Sequence, residues 1–310
     1  MDMYNGFITD VSGIEVGHAQ DIDAGTGCTA ILCRQGAVAG VDVRGAAPGT
    51  RETDLFRPSN LVQEVHAIML SGGSAFGLAA ADGAMKYLEE HGIGLDTGAA
   101  RVPIVGGAVL YDLAYRDSKI RPDFHMGYQA CKVASGELPE QGSIGAGTGA
   151  TVGKVLGMAS AMKGGIGTSS ITLPGGVVVG AIVAVNAFGD IFDLKNGEII
   201  AGARDPKTGD FVNTWDYLLS GGDKLAGFAG NTTIGVVATN AKLSKDQANR
   251  IASISHNGLA LTIRPVHTMV DGDTMFALST GEKAGDILAI SCAAVEVTAR
   301  AIVNAIRFSI

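Results

Sequence analysis

Glycine fills 45 of the 310 positions, roughly twice its usual share, and this constrains the fold more than any other feature. The glycines follow no three-residue period and only 8 prolines accompany them, which excludes a collagen-like helix. They are scattered among runs of Val, Ile and Ala, and 46 % of the chain is hydrophobic, so the chain can bury far more than a disordered one. Glycine distributed in this way fits many tight connections between strands and helices, not one flexible spacer. The length allows one large domain or two medium ones, but no linker or repeat marks a boundary. One domain over residues 1–310 is therefore expected.

Lys and Arg number 23 against 31 Asp and Glu, a net charge of −8, and no basic cluster is present. Nucleic acid and anionic membrane, which both require a basic footprint, are excluded as main partners. Charged residues make up only 17 %, which points to surface hidden in a homo-oligomer. Cys28, Cys33, Cys131 and Cys292 form no CxxC pair and have no His at metal spacing, so they read as buried, reduced thiols. The opening MDMYNGFITDV is acidic and has no apolar core of a secretion signal, so a cytoplasmic location is expected. The apolar stretch Ala284–Ile306 is interrupted by Asp286, Glu296 and Arg300, and reads as a buried core helix, not a membrane span.

The hydrophobic pattern interleaves strands and helices, an α/β or α+β class with buried sheet. Cys28–Val43 reads as a strand pair and His66–Leu70 as a short buried strand. After Ser71-Gly-Gly-Ser74 a helix is predicted to Glu90, with Ser74 as its cap and Gly92 ending it. Ile104–Leu113, Val177–Val185, Thr232–Thr239 and Met275–Ser279 read as further strands. Ser244 with Gln247 predicts a capping box before another helix, and Ala284–Arg307 is the last helix.

Three motifs fail on inspection. Thr148–Val155 imitates a phosphate-binding loop, but Thr148 replaces the first Gly and Val155 the Mg-ligating hydroxyl. Gly72–Gly77 resembles a nucleophile elbow, but Phe76 stands where the last Gly is required. Asn231-Thr232-Thr233 is formally a glycosylation sequon, which has no force without secretion. The six histidines, His18, His66, His91, His125, His256 and His267, show no metal-binding spacing and read as structural.

The segment GFAGNTTIGVVATNA (Gly227–Ala241) carries chemistry. A polar, flexible GFAGN run meets a strand that begins with the hydroxyl of Thr232. Cutting the Asn231–Thr232 bond would leave Thr232 with both a nucleophilic Oγ and a free α-amine. Such an amine ordinarily titrates at about 7.7–8.0 and can accept the hydroxyl proton. The same Oγ could make the cut by attacking the Asn231 carbonyl, giving an ester that water opens. Thr-rich strand starts are common for purely structural reasons, so the junction alone is not decisive.

The chain resembles the self-processing aminopeptidases of the P1 family, whose members include D-esterase/L-aminopeptidases, β-peptidyl aminopeptidases, a pantetheine hydrolase and nylon-oligomer endohydrolases. The resemblance runs through PGTRETDLF (Pro48–Phe56), LSGGSAFGLAAADG (Leu70–Gly83), PIVGGAVLYDL (Pro103–Leu113), GAGTGATVGK (Gly145–Lys154), VNAFGD (Val185–Asp190), GNTTIGVVATNA and DGDTMFALST (Asp271–Thr280). It implies an N-terminal-nucleophile-hydrolase-like fold, a four-layer αββα sandwich. It also implies autocleavage between Asn231 and Thr232 into residues 1–231 and 232–310, and a tetramer of such αβ units. The expected partners are a small peptide or amide substrate and the chain's own cleaved subunit, with no cofactor and no metal.

Other roles follow from the resemblance one position at a time. Asn186 matches an Asn whose amide points at the oxyanion, and Lys154 a lysine near the nucleophile. Asp271 and Asp273 match an acidic pair of the nylon-oligomer branch. Two residues apart in a strand, they would share a face and could hold the Thr232 ammonium. The alternatives are a plain DGD turn or a weak divalent-cation loop, and for the latter the pair lacks the further oxygen ligands. The aminopeptidase branch has Ser where Asp271 stands and Tyr near Val109. Tyr111, at the same parity on its expected strand, matches the nylon-oligomer branch better. The expected function is a threonine-nucleophile amide hydrolase of the aminopeptidase/D-esterase type. The alternatives are endo-hydrolysis of 6-aminohexanoate oligomers, acyl transfer, or a non-catalytic relative.

Overall fold

An 18-residue strand, β2 (Thr26–Val43), ties together the whole β-structure. The computed structural model describes residues 3–222 and 230–310, so Gly227–Ala229 of the expected flexible run lie outside the described residues. Eight further strands join β2: β1 (Glu15–Asp21), β3 (Gly49–Arg51), β4 (Glu64–Ser71), β5 (Val105–Val109), β6 (Gly165–Thr172), β7 (Val178–Asn186), β8 (Thr232–Ala241) and β9 (Thr274–Lys283). Their order is β6-β7-β8-β9-β2-β4-β5-β3, with β1 also paired to β2. Pairing is antiparallel except at β8–β9 and β4–β5. The helices are α1 (Ala80–Glu90), α2 (Phe124–Lys132), α3 (Thr214–Leu219), α4 (Lys245–Thr262) and α5 (Ile287–Arg307).

Successive side chains of each strand point to opposite faces, and the two halves of the sheet turn one face to a shared middle core and the other to a helix layer. Cys28, Ala30 and Leu32 of β2, with Ala67 and Met69 of β4, pack under α1 and α2 against Ala84, Leu88 and Ala130. The alternate residues Ile31, Ile68 and Leu70 turn to the middle core, where they meet Ile182, Ala184, Ile234, Val236 and Phe276. On the far side Val179, Ala181, Val183, Val237 and Met275 pack under α4 and α5 against Leu259, Val297 and Ile302. The result is the expected four-layer αββα sandwich. Much of the glycine serves these layers: a Cβ at Gly40 of β2 would stand 2.2 Å from the backbone of Asn249 in α4, and one at Gly167 of β6 2.2 Å from the carbonyl of Ala301 in α5.

Several expectations are corrected. Cys28–Val43 is one strand, not a pair; its pairing to β4 skips between Leu32 and Ala37, and Gly36 supplies a φ of +86° in the gap. The predicted strand at Ile104–Leu113 stops at Val109, so Tyr111 lies beyond it. Ser74 makes no cap; a 3-10 segment, Ser74–Ala79, precedes α1. Cys292 is exposed, whereas the other three cysteines are buried. The capping box at Ser244 and Gln247 is present, and α5 is a core helix that begins at Ile287, capped by Asp286.

Candidate active site

Thr232 opens β8 and stands directly opposite Asn186, the last residue of β7. Both are buried, Asn186 completely. The chain is continuous across Asn231 and Thr232, and the Thr232 hydroxyl lies against the Asn231 carbonyl oxygen. That carbonyl also accepts the backbone N–H of Gly272 at 2.8 Å, while the N–H of Asn231 donates to Val270 at 3.2 Å. The junction is thus held as a parallel bridge against the Asp271 segment.

Lys154 is buried, contrary to what its glycine-rich approach would suggest for a surface lysine. Its Nζ donates to Asn186 Oδ1 at 2.8 Å and to the Asn186 carbonyl at 3.2 Å. Thr151 N also donates to Asn186 Oδ1, at 3.0 Å, and these donors set the amide's orientation. Asn186 Nδ2 donates to the carbonyl of Tyr111 at 2.9 Å, which leaves its second N–H available. Burial pulls the Lys154 ammonium down to about 7, opposed by the charges of Asp271 and Asp112.

Asp271 and Asp273 lie just ahead of β9 and not within it, Asp271 in the bridge to Asn231 and Asp273 immediately before the strand begins at Thr274. Asp271 accepts from the hydroxyl and backbone N–H of Thr268. Burial first, and the charge of Asp273 second, push its carboxyl up to about 6. Asp273 accepts from Thr233 N at 2.7 Å through Oδ1, and from the ring and backbone of His267 through Oδ2. Tyr111 is half-buried; with Lys154, Thr151, Met158 and Gly230 it lines a small cleft, and its side chain crowds Gly230. A small apolar cluster of Val155, Phe188 and Ala203, with Leu156 and Val270 against it, binds the segments that carry Lys154, Asn186 and Asp271. Sequence reading passed over His267 because its Asp273 partner is visible only in space. Among the described residues, no group of three or more His, Cys, Asp or Glu side chains is placed to hold a metal ion.

A buried threonine at a strand start thus lies opposite an amide that a lysine holds and one residue before the N–H bound by Asp273, in an αββα sandwich of the N-terminal-nucleophile-hydrolase fold type. The chain belongs to peptidase family S58, whose model matches residues 6–309, and so to the hydrolases acting on amide bonds. An uncharacterised aminopeptidase of Mycobacterium leprae is 45 % identical over 297 residues, covering 88 % of this chain and 78 % of that protein. A 6-aminohexanoate-oligomer endohydrolase of Kocuria sp. is 36 % identical over 277 residues, covering 88 % and 74 %. Among solved structures, the L-aminopeptidase D-Ala-esterase/amidase of Ochrobactrum anthropi, described as a variant of the Ntn hydrolase fold, superposes with TM-score 0.73 at 18 % identity, covering 100 % and 88 %. A Burkholderia β-aminopeptidase superposes with TM-score 0.71 at 23 % identity, covering 98 % and 88 %.

Proposed function

We propose that this chain is a self-processing hydrolase in which Thr232 is first the agent of its own release and then the nucleophile. The observation that carries the reading is the placement of Thr232: a buried hydroxyl against the carbonyl of the preceding residue, opposite Asn186. In processing, Oγ attacks the Asn231 carbonyl carbon, the peptide C–N bond breaks, and the nitrogen takes the hydroxyl proton. Water then opens the ester, leaving a carboxylate on Asn231 and a free amine on Thr232. In turnover that amine accepts the Oγ proton as Oγ attacks a substrate amide. The free N–H of Asn186 donates to the oxyanion, and the proton passes to the leaving amine. Water hydrolyses the resulting acyl ester. Lys154 holds Asn186 in place, and Asp271, when ionised, faces the new ammonium.

The substrate class is peptides or peptide-like amides, cleaved in aminopeptidase/D-esterase fashion; the 45 % identical mycobacterial aminopeptidase supports this. A second reading, endo-hydrolysis of 6-aminohexanoate oligomers, is favoured by Asp271, which stands where the aminopeptidase branch has Ser. Intact-mass measurement of the purified protein tests the mechanism: two fragments, residues 1–231 and 232–310, are expected. A Thr232→Ala chain that is still cut and active would overturn it. Release of amine from dipeptide amides, compared with cutting inside end-blocked oligomers, separates the two substrates.

A further inference from the structure

We propose that His267 is a positioning residue for the Asn231–Thr232 junction: it orients the Asp273 carboxylate, which in turn fixes the first residues of strand β8. This rests on the self-processing reading given above. Asp273 Oδ2 accepts two donors from the same residue, the His267 ring Nδ1 at 2.8 Å and the His267 backbone N–H at 3.1 Å. Because a carboxylate oxygen only accepts, the ring must carry its proton on Nδ1. The other oxygen, Oδ1, accepts Thr233 N at 2.7 Å, one residue after the nucleophile. On the other side of Thr232, Gly272 N holds the Asn231 carbonyl at 2.8 Å. The scissile unit is therefore gripped at both ends, once by backbone and once by a side chain that His267 holds.

Two further observations separate His267 from a histidine that merely fills space. Its backbone lies in the left-handed region, φ +56°, a conformation costly for most side chains and concentrated at functional sites. That conformation lets ring and backbone N–H converge on one oxygen. Its Nε2 has no hydrogen-bond partner among the described residues, so the ring's hydrogen bonding is directed to Asp273. Behind it, His256 packs edge to face with ring centroids 4.8 Å apart, itself held by the Asp42 carbonyl at 3.0 Å. The ring is thereby wedged between a fixed partner and the carboxylate.

The test compares the rate of self-cleavage after cell-free synthesis in the wild type and in H267A, H267N and H267Q. Asn places an amide nitrogen near the position of Nδ1 and tolerates a positive φ, whereas Gln places it where Nε2 stands. Melting temperatures are taken in the uncut Thr232→Ala background, so folding and cutting are read separately. Expected is cutting by H267N within about threefold of wild type and slowing of about tenfold or more in H267A and H267Q, the scale of one lost charge-assisted hydrogen bond. Wild-type cutting in H267A would overturn the proposal, as would losses that follow melting temperature alone. A wild-type chain that stays whole overturns the functional reading and this proposal with it; a cut wild type beside an unaffected H267A overturns only the latter.

Discussion

Gly272 donates its backbone N–H at 2.8 Å to the carbonyl oxygen of Asn231, on the acyl side of the Asn231–Thr232 bond. A carbonyl held by a fixed donor is polarised toward attack, and the oxygen's growing charge is met without rearrangement. The position also demands glycine, since a Cβ would stand 2.6 Å from the Ala47 carbonyl and 2.8 Å from Thr232 Oγ1. Gly272→Ala should therefore displace both the donor and the nucleophile. The expected outcome is a folded chain that remains uncut; intact mass measured at intervals after purification checks this, and a G272A chain processed at the wild-type rate would contradict it.

Asn186 is expected to matter more for turnover than for processing. One N–H of its amide is committed to Tyr111, which leaves the other available on a residue paired directly opposite Thr232, whereas the Asn231 carbonyl already has Gly272. Asn186→Ala should lower kcat by about 10²–10³-fold, the usual loss for one oxyanion donor, with a much smaller change in KM. Steady-state kinetics on the processed fraction would show it. A variant losing only KM would assign Asn186 to substrate binding instead.

Two buried charges give stability an opposite dependence on pH. Lys154 titrates at about 7 in the folded chain against 10.5 ordinarily, so between these values the unfolded state holds more protons and stability rises with pH. Asp271 titrates at about 6 against 3.8, so the folded state holds more protons between them and stability falls as pH rises through that range. In the uncut Thr232→Ala background, Lys154→Met should remove stabilisation gained above pH 7, and Asp271→Asn should remove the loss between 3.8 and 6. Denaturant unfolding across pH, read as the difference between each variant and its parent, isolates each group. Curves that stay parallel would refute the assignment.

The apolar strands, the capping box at Ser244 and the last helix were legible because each depends on local pattern. So was the αββα architecture, through a resemblance spread along the whole chain. What local pattern could not reveal was assembly. β2 reads as two strands because Gly36 interrupts its alternation, yet continuous pairing on either side makes it one. A lysine after a glycine-rich approach reads as a surface residue, and only the fold shows its burial against Asn186. The carboxylates of Asp271 and Asp273 read as residues within a strand, because nothing in DGDT marks that regular pairing begins only at Thr274. His267 was invisible for the same reason that Asp273 was half-understood: their contact is made by a left-handed backbone that sequence does not announce.

Asp190 supplies a last prediction, on the segment that leads toward the junction. Completely buried, it accepts Ala203 N at 3.0 Å and the Thr214 hydroxyl at 2.9 Å on Oδ1, and Thr214 N at 2.6 Å on Oδ2. Burial pushes its carboxyl up to about 6 despite these donors. The carboxylate fastens the start of α3, just upstream of the cut site, to the strand that follows Asn186. Asp190→Ala would orphan three buried donors and should lower stability by about 3 kcal/mol or more. Asp190→Asn should recover only part of this, since its amide N–H₂ must face one of the donors. Amide exchange at Ala203 and Thr214 should quicken in Asp190→Ala ahead of global unfolding, because the opening is local to this clamp. Exchange there as slow as in the parent would mean that other contacts hold α3 in place.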